Sequence, residues 1–250
     1  MNKKIIVAAA TALTLAAPLA SFADEGAMRG RLGVSNNSFT TIWSGGDLET
    51  SYNSLNFGFT YITPKSYYYD LAMKKSLSAS WNTVELTDGT NDGRDEDYAR
   101  NDLTFTVGKV LDNGVQVFAG YQDSSATIAL PPISWVQDLG SVVEEEIDVS
   151  GFFLGAGKSI KLGEGSLNLN AAYGSMSATL VDAGGIANDS SGGNGYSIGA
   201  TYTHFFTDDL SVNFELKQQK YSYDFSSPDI ALTSGDDKMT MIGFNVVRQF

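Results

Sequence analysis

The chain contains no cysteine, so no disulfide framework holds it together, even in an oxidising compartment. Prolines number only 5, and there is a single histidine in 250 residues. Charged residues make up 18%, below the ~25% of an ordinary soluble domain. The charges are also lopsided, with 16 Lys and Arg against 29 Asp and Glu. A net charge of -13 disfavours nucleic acid, whose phosphates need cationic partners. Long apolar runs are missing too: beyond residue 23 none approaches the length of a membrane helix, and mean hydropathy is slightly below zero. A bundle of membrane helices is therefore excluded. What is plentiful is glycine (26), phenylalanine (14) and tyrosine (12), a composition that suits strands joined by tight turns and argues against disorder.

Residues 1–23 read as a cleaved secretory signal. Lys3 and Lys4 give a positive start, Ile5 to Ala17 an apolar run, Pro18 a break, and Ser21-Phe22-Ala23 small residues at the -3 and -1 positions of a cleavage site. The apolar run is shorter than the ~20 residues that span a bilayer. Residues 24–250 are then one domain.

That domain shows alternation over stretches of about ten residues, the period of a strand with two unlike faces. Leu55, Phe57, Phe59 and Tyr61 alternate with Asn56, Gly58 and Thr60. The same pattern recurs around Leu103–Val107, Val115–Tyr121, Phe152–Ala156, Leu167–Tyr173, Tyr196–Tyr202, Leu210–Leu216 and Thr240–Val246, with less regular segments at Met28–Val34 and Tyr67–Trp81. Short turns fall at 63–66, 112–114, 163–165 and 207–209, and long polar segments at 36–49, 82–99, 122–147, 181–195 and 225–237. Short and long connections alternate, which puts all the long ones on one side and both termini on the other. Ten strands result, with eight or twelve as the alternatives if one segment is merged or split.

A soluble sandwich would pack one face into a dry core and wet the other. Here one face is apolar and aromatic, while the other is mostly Gly, Ser, Thr, Asn and Gln, too small and polar for a core and too uncharged for a soluble surface. Those faces suit lipid outside and a polar interior within. Aromatic girdles are expected at both strand ends: Tyr61, Tyr67, Tyr68, Phe205, Phe206 and Phe250 beside the short turns, and Trp43, Tyr52, Trp81, Tyr121, Tyr173, Tyr196, Tyr221 and Tyr223 towards the loops.

With its signal segment, alternating strands, one-sided long loops and an end in Val246-Val247-Arg248-Gln249-Phe250, the chain resembles Gram-negative outer-membrane β-barrel proteins, small porin-like barrels among them. The resemblance covers the whole mature chain and is architectural. It implies an all-β fold, a transmembrane antiparallel up-and-down β-barrel with short periplasmic turns and long extracellular loops, in the outer membrane. It further implies contact with outer-membrane lipid and lipopolysaccharide, and with the assembly machinery, which reads a terminal aromatic such as Phe250. Arg248 departs from the pattern, which has an apolar or aromatic residue there. Nothing in the strands marks an oligomer interface, and a homo-oligomer stays open.

Candidate chemistry is sparse. Gly155-Ala156-Gly157-Lys158-Ser159 resembles the end of a phosphate loop, but Phe152 stands where that motif needs glycine, and the segment alternates as a strand. Lys158 reads as an interfacial lysine. In outer-membrane enzymes a catalytic histidine lies near the loop-side rim, whereas His204 sits by the short turn next to Asp208, so it reads as structural. Asp88–Asp97 has the flavour of a calcium loop, but counting from Asp88 it offers Thr90 at position 3 and Ala99 at position 12, which fails as an EF-hand. No catalytic, metal or cofactor site is therefore expected. Segment 122–147, with Trp135 and Glu144-Glu145-Glu146, reads as a hairpin extending two strands above the membrane rather than a loop folded into the mouth.

Charges expected on the inner face are Arg29, Arg31, Asp70, Lys74, Arg100, Asp102, Glu215 and Lys217, in mixed signs that suggest a salt-bridged interior. Lys75 falls on the lipid face, and a bulge at Lys74-Lys75 would rescue it. Two functions follow as expectations. One is a porin-like narrow channel for small ions or solutes, modestly cation-preferring because its loops are acidic. The other is a closed barrel whose loops, with Trp43, Tyr98 and Trp135, form a surface platform for adhesion or interaction.

Overall fold

The computed structural model describes residues 26–43, 46–77, 79–82, 95–130, 143–181, 185–225 and 234–250; the signal segment 1–23 lies outside them. Their regular structure is all strand: β1 (Ala27–Trp43), β2 (Gly46–Ile62), β3 (Tyr67–Ser76), β4 (Ala79–Asn82), β5 (Asp95–Val110), β6 (Val115–Leu130), β7 (Val143–Leu162), β8 (Gly165–Val181), β9 (Ala187–Phe205), β10 (Leu210–Phe225) and β11 (Ser234–Gln249). Neighbours in sequence pair antiparallel, and β1 pairs with β11 from Arg29↔Gln249 to Trp43↔Gly235. Both β3 and β4 pair with β5, so they are two lengths of one wall strand. The result is a closed antiparallel barrel of ten strands, sealed where β3 pairs with both β2 and β5.

Short turns have the chemistry their length demands. Leu162 pairs with Gly165 across a two-residue connection in which Gly163 has φ +60°, a conformation costly to any residue with a Cβ. In the turn before β10 the Leu210 N–H donates to Thr207 Oγ1 and the Thr207 hydroxyl donates to Asp209 at 2.5 Å, which holds the exposed Asp209 carboxyl below its usual range.

The strands run much further than the expected ten residues. Most have 16 to 20, and they absorb much of the segments read as loops. Segment 122–147 is the clearest case: pairing continues from Gln122↔Gly151 to Leu130↔Val143, the extended hairpin the sequence suggested. A 17-residue strand is about 55 Å long, and tilted as barrel strands are it rises about 40 Å, beyond the ~25 Å apolar band of an outer-membrane barrel. Each strand therefore has a short-turn half at membrane depth and a loop-side half that rises above it.

The outer face follows that division. On β2 it carries Tyr61, Phe59, Phe57 and Leu55, then Asn53 and Ser51; on β8 it carries Leu167, Leu169, Ala171 and Tyr173, then Ser175 and Ser177. Tyr121, Phe152, Tyr173 and Tyr196 stand exposed where the band ends, the position of an interfacial girdle. Tyr52, Tyr221 and Tyr223, expected in that girdle, are buried inside the barrel instead. The bulge expected at Lys74-Lys75 is absent too: both residues keep unbroken register with β2 and β5. Lys75 is exposed beside Leu55 and Asn101, at the loop-side limit of the band, so it reaches polar surroundings without one. Depth should decide the cost of lysine on this strand. Leu71→Lys, in the middle of the same outer row, is expected to destabilise by ~2–4 kcal/mol, and Lys75→Leu to change stability by less than ~1 kcal/mol. Urea titration of the barrel in lipid vesicles measures both.

Candidate functional site

The interior has three storeys. The loop-side storey is a packed apolar core of thirteen buried side chains, including Phe39, Tyr52, Tyr98, Val149, Met176, Leu180, Tyr223, Phe225 and Met239. Rings interlock across it, Tyr98 lying 6.0 Å from Phe39 and 5.1 Å from Tyr52, centroid to centroid. Tyr98, expected to face outward as a loop contact, belongs to this core at 2% exposure. The Thr41 hydroxyl donates to the buried Asp237 carboxylate within the same storey.

Below the core lies a polar belt, and the eight inner-face charges named from the sequence lie in or beneath it. Arg100 Nε donates to Asp102 Oδ1 at 2.8 Å, with Lys74 Nζ 3.9 Å from the other oxygen of that carboxylate. The Arg100 guanidinium also stands over the Phe39 ring at 5.3 Å, which couples belt to core. Arg31 grips Asp70 with two parallel bonds of 2.7 and 2.8 Å, its side chain lying over Gly58, where a Cβ would come within 2.3 Å of Nε. Thr60 donates to the same carboxylate. Arg29 sits lower, donating to Gln249 at 3.0 Å near the short-turn rim. Glu215 and Lys217, two residues apart on β10, make no ion pair or hydrogen bond among the described residues and face a recess of about 90 Å³ shared with Lys74 and Asp102.

A chain of neutral groups completes the belt. Gln219 Nε2 donates to Tyr221 Oη at 2.7 Å, the Tyr221 hydroxyl donates to Gln122 Oε1 at 3.1 Å, and Gln122 Nε2 donates to Ser124 at 2.9 Å. This chain ties β10 to β6 across the lumen. Sequence reasoning missed Gln122, Gln219 and Tyr221 as partners, because bonds between strands four places apart in the wall leave no spacing signal.

The third storey, in the short-turn half, is a cavity of about 590 Å³. It starts beneath Gln219 and Tyr221 and reaches the rim at Ile62, Val110, Asp208 and Asp209. Gly155-Ala156-Gly157-Lys158-Ser159 lies within β7, and Lys158 Nζ donates to the Asn113 carbonyl at the turn. His204 is on the outer face by the short turn, its ring edge-on to Phe206 at 4.9 Å. The Phe250 N–H donates to the Met28 carbonyl at 2.8 Å, so the last residue closes the β1–β11 seam, with Arg248 above its ring. Residues 88–94, Trp135 and the side chains of Trp43 and Trp81 lie outside the described part.

No protein-family model matches the chain, and no curated protein matches it in sequence. Among solved structures it is similar to the outer membrane protease OmpT from Escherichia coli, with a TM-score of 0.58 at 13% identity over 91% of this chain and 97% of OmpT. The fold is that of outer-membrane β-barrels. Weaker likenesses are to the Pseudomonas putida toluene transporter TodX (TM-score 0.35, 10% identity, 92% and 91% covered) and to the attachment invasion locus protein Ail of Yersinia pestis (TM-score 0.34, 10% identity, 89% and 99% covered). The likeness to OmpT is one of fold, and the chemistry named for these proteins is theirs.

Proposed function

We propose that the chain resides in the outer membrane of a Gram-negative bacterium as a barrel shut at its loop end, and that it works as a surface platform, offering its loop-side rim for adhesion or ligand contact. The observation that carries this reading is the apolar core of thirteen buried side chains filling the loop-side interior above the charged belt. An ion crossing that storey would exchange most of its hydration for aromatic and aliphatic groups, because polar side chains there such as Asp237 and Thr41 are already bonded to one another, and the cost is several kcal/mol. In this reading lipid and lipopolysaccharide meet the outer band, and the assembly machinery reads Phe250. No catalytic role is assigned to His204, whose ring is packed beside the short turn at the end opposite the rim.

The porin-like channel, with small cations as cargo, is the second reading. The polar cavity of about 590 Å³ favours it, since that space already crosses the short-turn half. One experiment separates the two. The refolded mature chain in a planar bilayer, under a salt gradient, is expected to stay silent while running as a folded, heat-modifiable band on gels. Discrete, reproducible cation-preferring steps would overturn the closed barrel and establish the channel.

A further inference from the structure

We propose that the short-turn cavity is a binding site for a short acidic glycan, a di- or trisaccharide carrying a carboxylate, that enters from the end opposite the loops. A volume of about 590 Å³ lies within the ~300–1,000 Å³ of small-molecule sites. The cavity has two unlike walls. On one, Phe118 and Phe153 cover glycines of the neighbouring strand: a Cβ at Gly155 would come within 2.2 Å of the Phe118 ring, and one at Gly120 within 2.3 Å of Phe153. The two rings meet edge to face, with centroids 6.3 Å apart at 71°, and both line the cavity. An aromatic face carries the negative side of the ring quadrupole, which suits the polarised C–H bonds on the apolar side of a pyranose.

The adjoining wall, from β8 to β10, presents Asn168, Asn170, Thr201 and Asn213. Amides and hydroxyls both donate and accept, as sugar hydroxyls do. The Asn213 side-chain oxygen is buried with no protein partner. An alkyl chain in this space would leave such groups desolvated and unpaired, at a cost of about 1–3 kcal/mol each.

The cavity's inner end selects for charge. Glu215 and Lys217 line both the cavity and the recess above it, and neither has an ionic partner among the described residues. The other belt charges nearby are paired, Arg31 to Asp70 and Lys74 and Arg100 to Asp102, while Arg31 and Lys74 also attract Glu215 at longer range. Lys217 is thus free to receive one carboxylate, and the Glu215 carboxylate to accept from a neighbouring sugar hydroxyl.

The test is calorimetry on the refolded full mature barrel in an amine-oxide detergent, which has no sugar headgroup to compete. The probes are cellobiose and its uronic-acid counterpart, cellobiouronic acid. Saturable one-site binding is expected, tighter for the acidic disaccharide. Phe118→Leu, which keeps bulk but loses the flat ring, should weaken both sugars about tenfold. Lys217→Met should abolish the preference for the acid and leave neutral binding intact, with folding checked for each variant by heat-modifiable mobility. Overturning results are an absence of saturable heat with either disaccharide, affinities indifferent to both substitutions, or saturation by a straight-chain alkyl phosphate in place of the sugars. This site goes beyond the surface-platform reading and lies at the other end of the barrel, so calorimetry and conductance can fail independently.

Discussion

Replacing Arg100 with methionine is expected to destabilise the barrel by about 3–5 kcal/mol, the usual penalty for stranding one member of a buried ion pair. The Arg100 and Asp102 side chains are only 4% and 9% exposed, and their 2.8 Å contact is the shortest ionic contact Asp102 has among the described residues. Lys74, at 3.9 Å, is too far to replace it with a hydrogen bond. The guanidinium also faces the Phe39 ring, so methionine removes a cation–π contact worth a further ~0.5–2 kcal/mol. The double variant Arg100→Met, Asp102→Leu should recover part of the loss, because it removes the orphaned carboxylate but leaves Lys74 without its ionic partner. Urea midpoints of the vesicle-inserted barrel give the complete double-mutant cycle. A single variant as stable as the parent, or a double variant no better than the single, would show that Asp102 is solvated and the belt is wet.

The membrane-depth half of the fold was legible because lipid imposes one phase of alternation on every strand. Leu210, Val212, Phe214 and Leu216 announce an outward apolar face on β10. The loop-side half was misjudged because the phase inverts. Further along β10 the apolar residues are Tyr221, Tyr223 and Phe225, which point inward, while Gln218, Lys220 and Ser222 point out. On β11 the switch comes between Met241 and Ile242, and on β8 between Tyr173 and Met176. A strand that leaves lipid for water must turn its polar side out, so what was apolar-out becomes apolar-in. The strands read as ten residues long were followed only to that inversion, and their continuation looked like loop. The inner-face charges were legible from the same phase: Arg100, Asp102, Glu215 and Lys217 continue clean alternating runs, and Arg29, Arg31, Asp70 and Lys74 fall in phase within the two less regular ones. Their pairing was not, since Arg31 with Asp70 and Lys74 with Asp102 depend on register between strands, and the Gln219–Tyr221–Gln122 chain on closure of the wall.

If the apolar storey is what shuts the barrel, removing its centre should open it. Phe39, Tyr52 and Tyr98 come from β1, β2 and β5, meet ring to ring, and are each 2% exposed. The triple variant Phe39→Ala, Tyr52→Ala, Tyr98→Ala deletes that contact while leaving the wall's backbone ladder intact. Beneath the gap stand Arg100, Asp102 and Lys74, already polar, then the cavity that continues to the short-turn rim. Water entering the gap would therefore join a polar path through the whole barrel. The parent should be silent in a planar bilayer and the triple variant should conduct in discrete steps. Each truncation costs about 3–5 kcal/mol in a rigid core, less where water fills the space, so only heat-modifiable, folded material is informative. The belt sets the selectivity: with Arg31, Lys74, Arg100 and Lys217 against Asp70, Asp102 and Glu215, its balance is slightly positive. The acidic loops favour cations at the mouth, and the two influences oppose each other. Lys217→Glu in the triple background should then shift the reversal potential towards cations, because it reverses a belt charge that makes no ion pair among the described residues. A folded triple variant that stays silent would place the seal elsewhere, in the belt itself. Conductance restored only when Arg100 is also removed would locate it there.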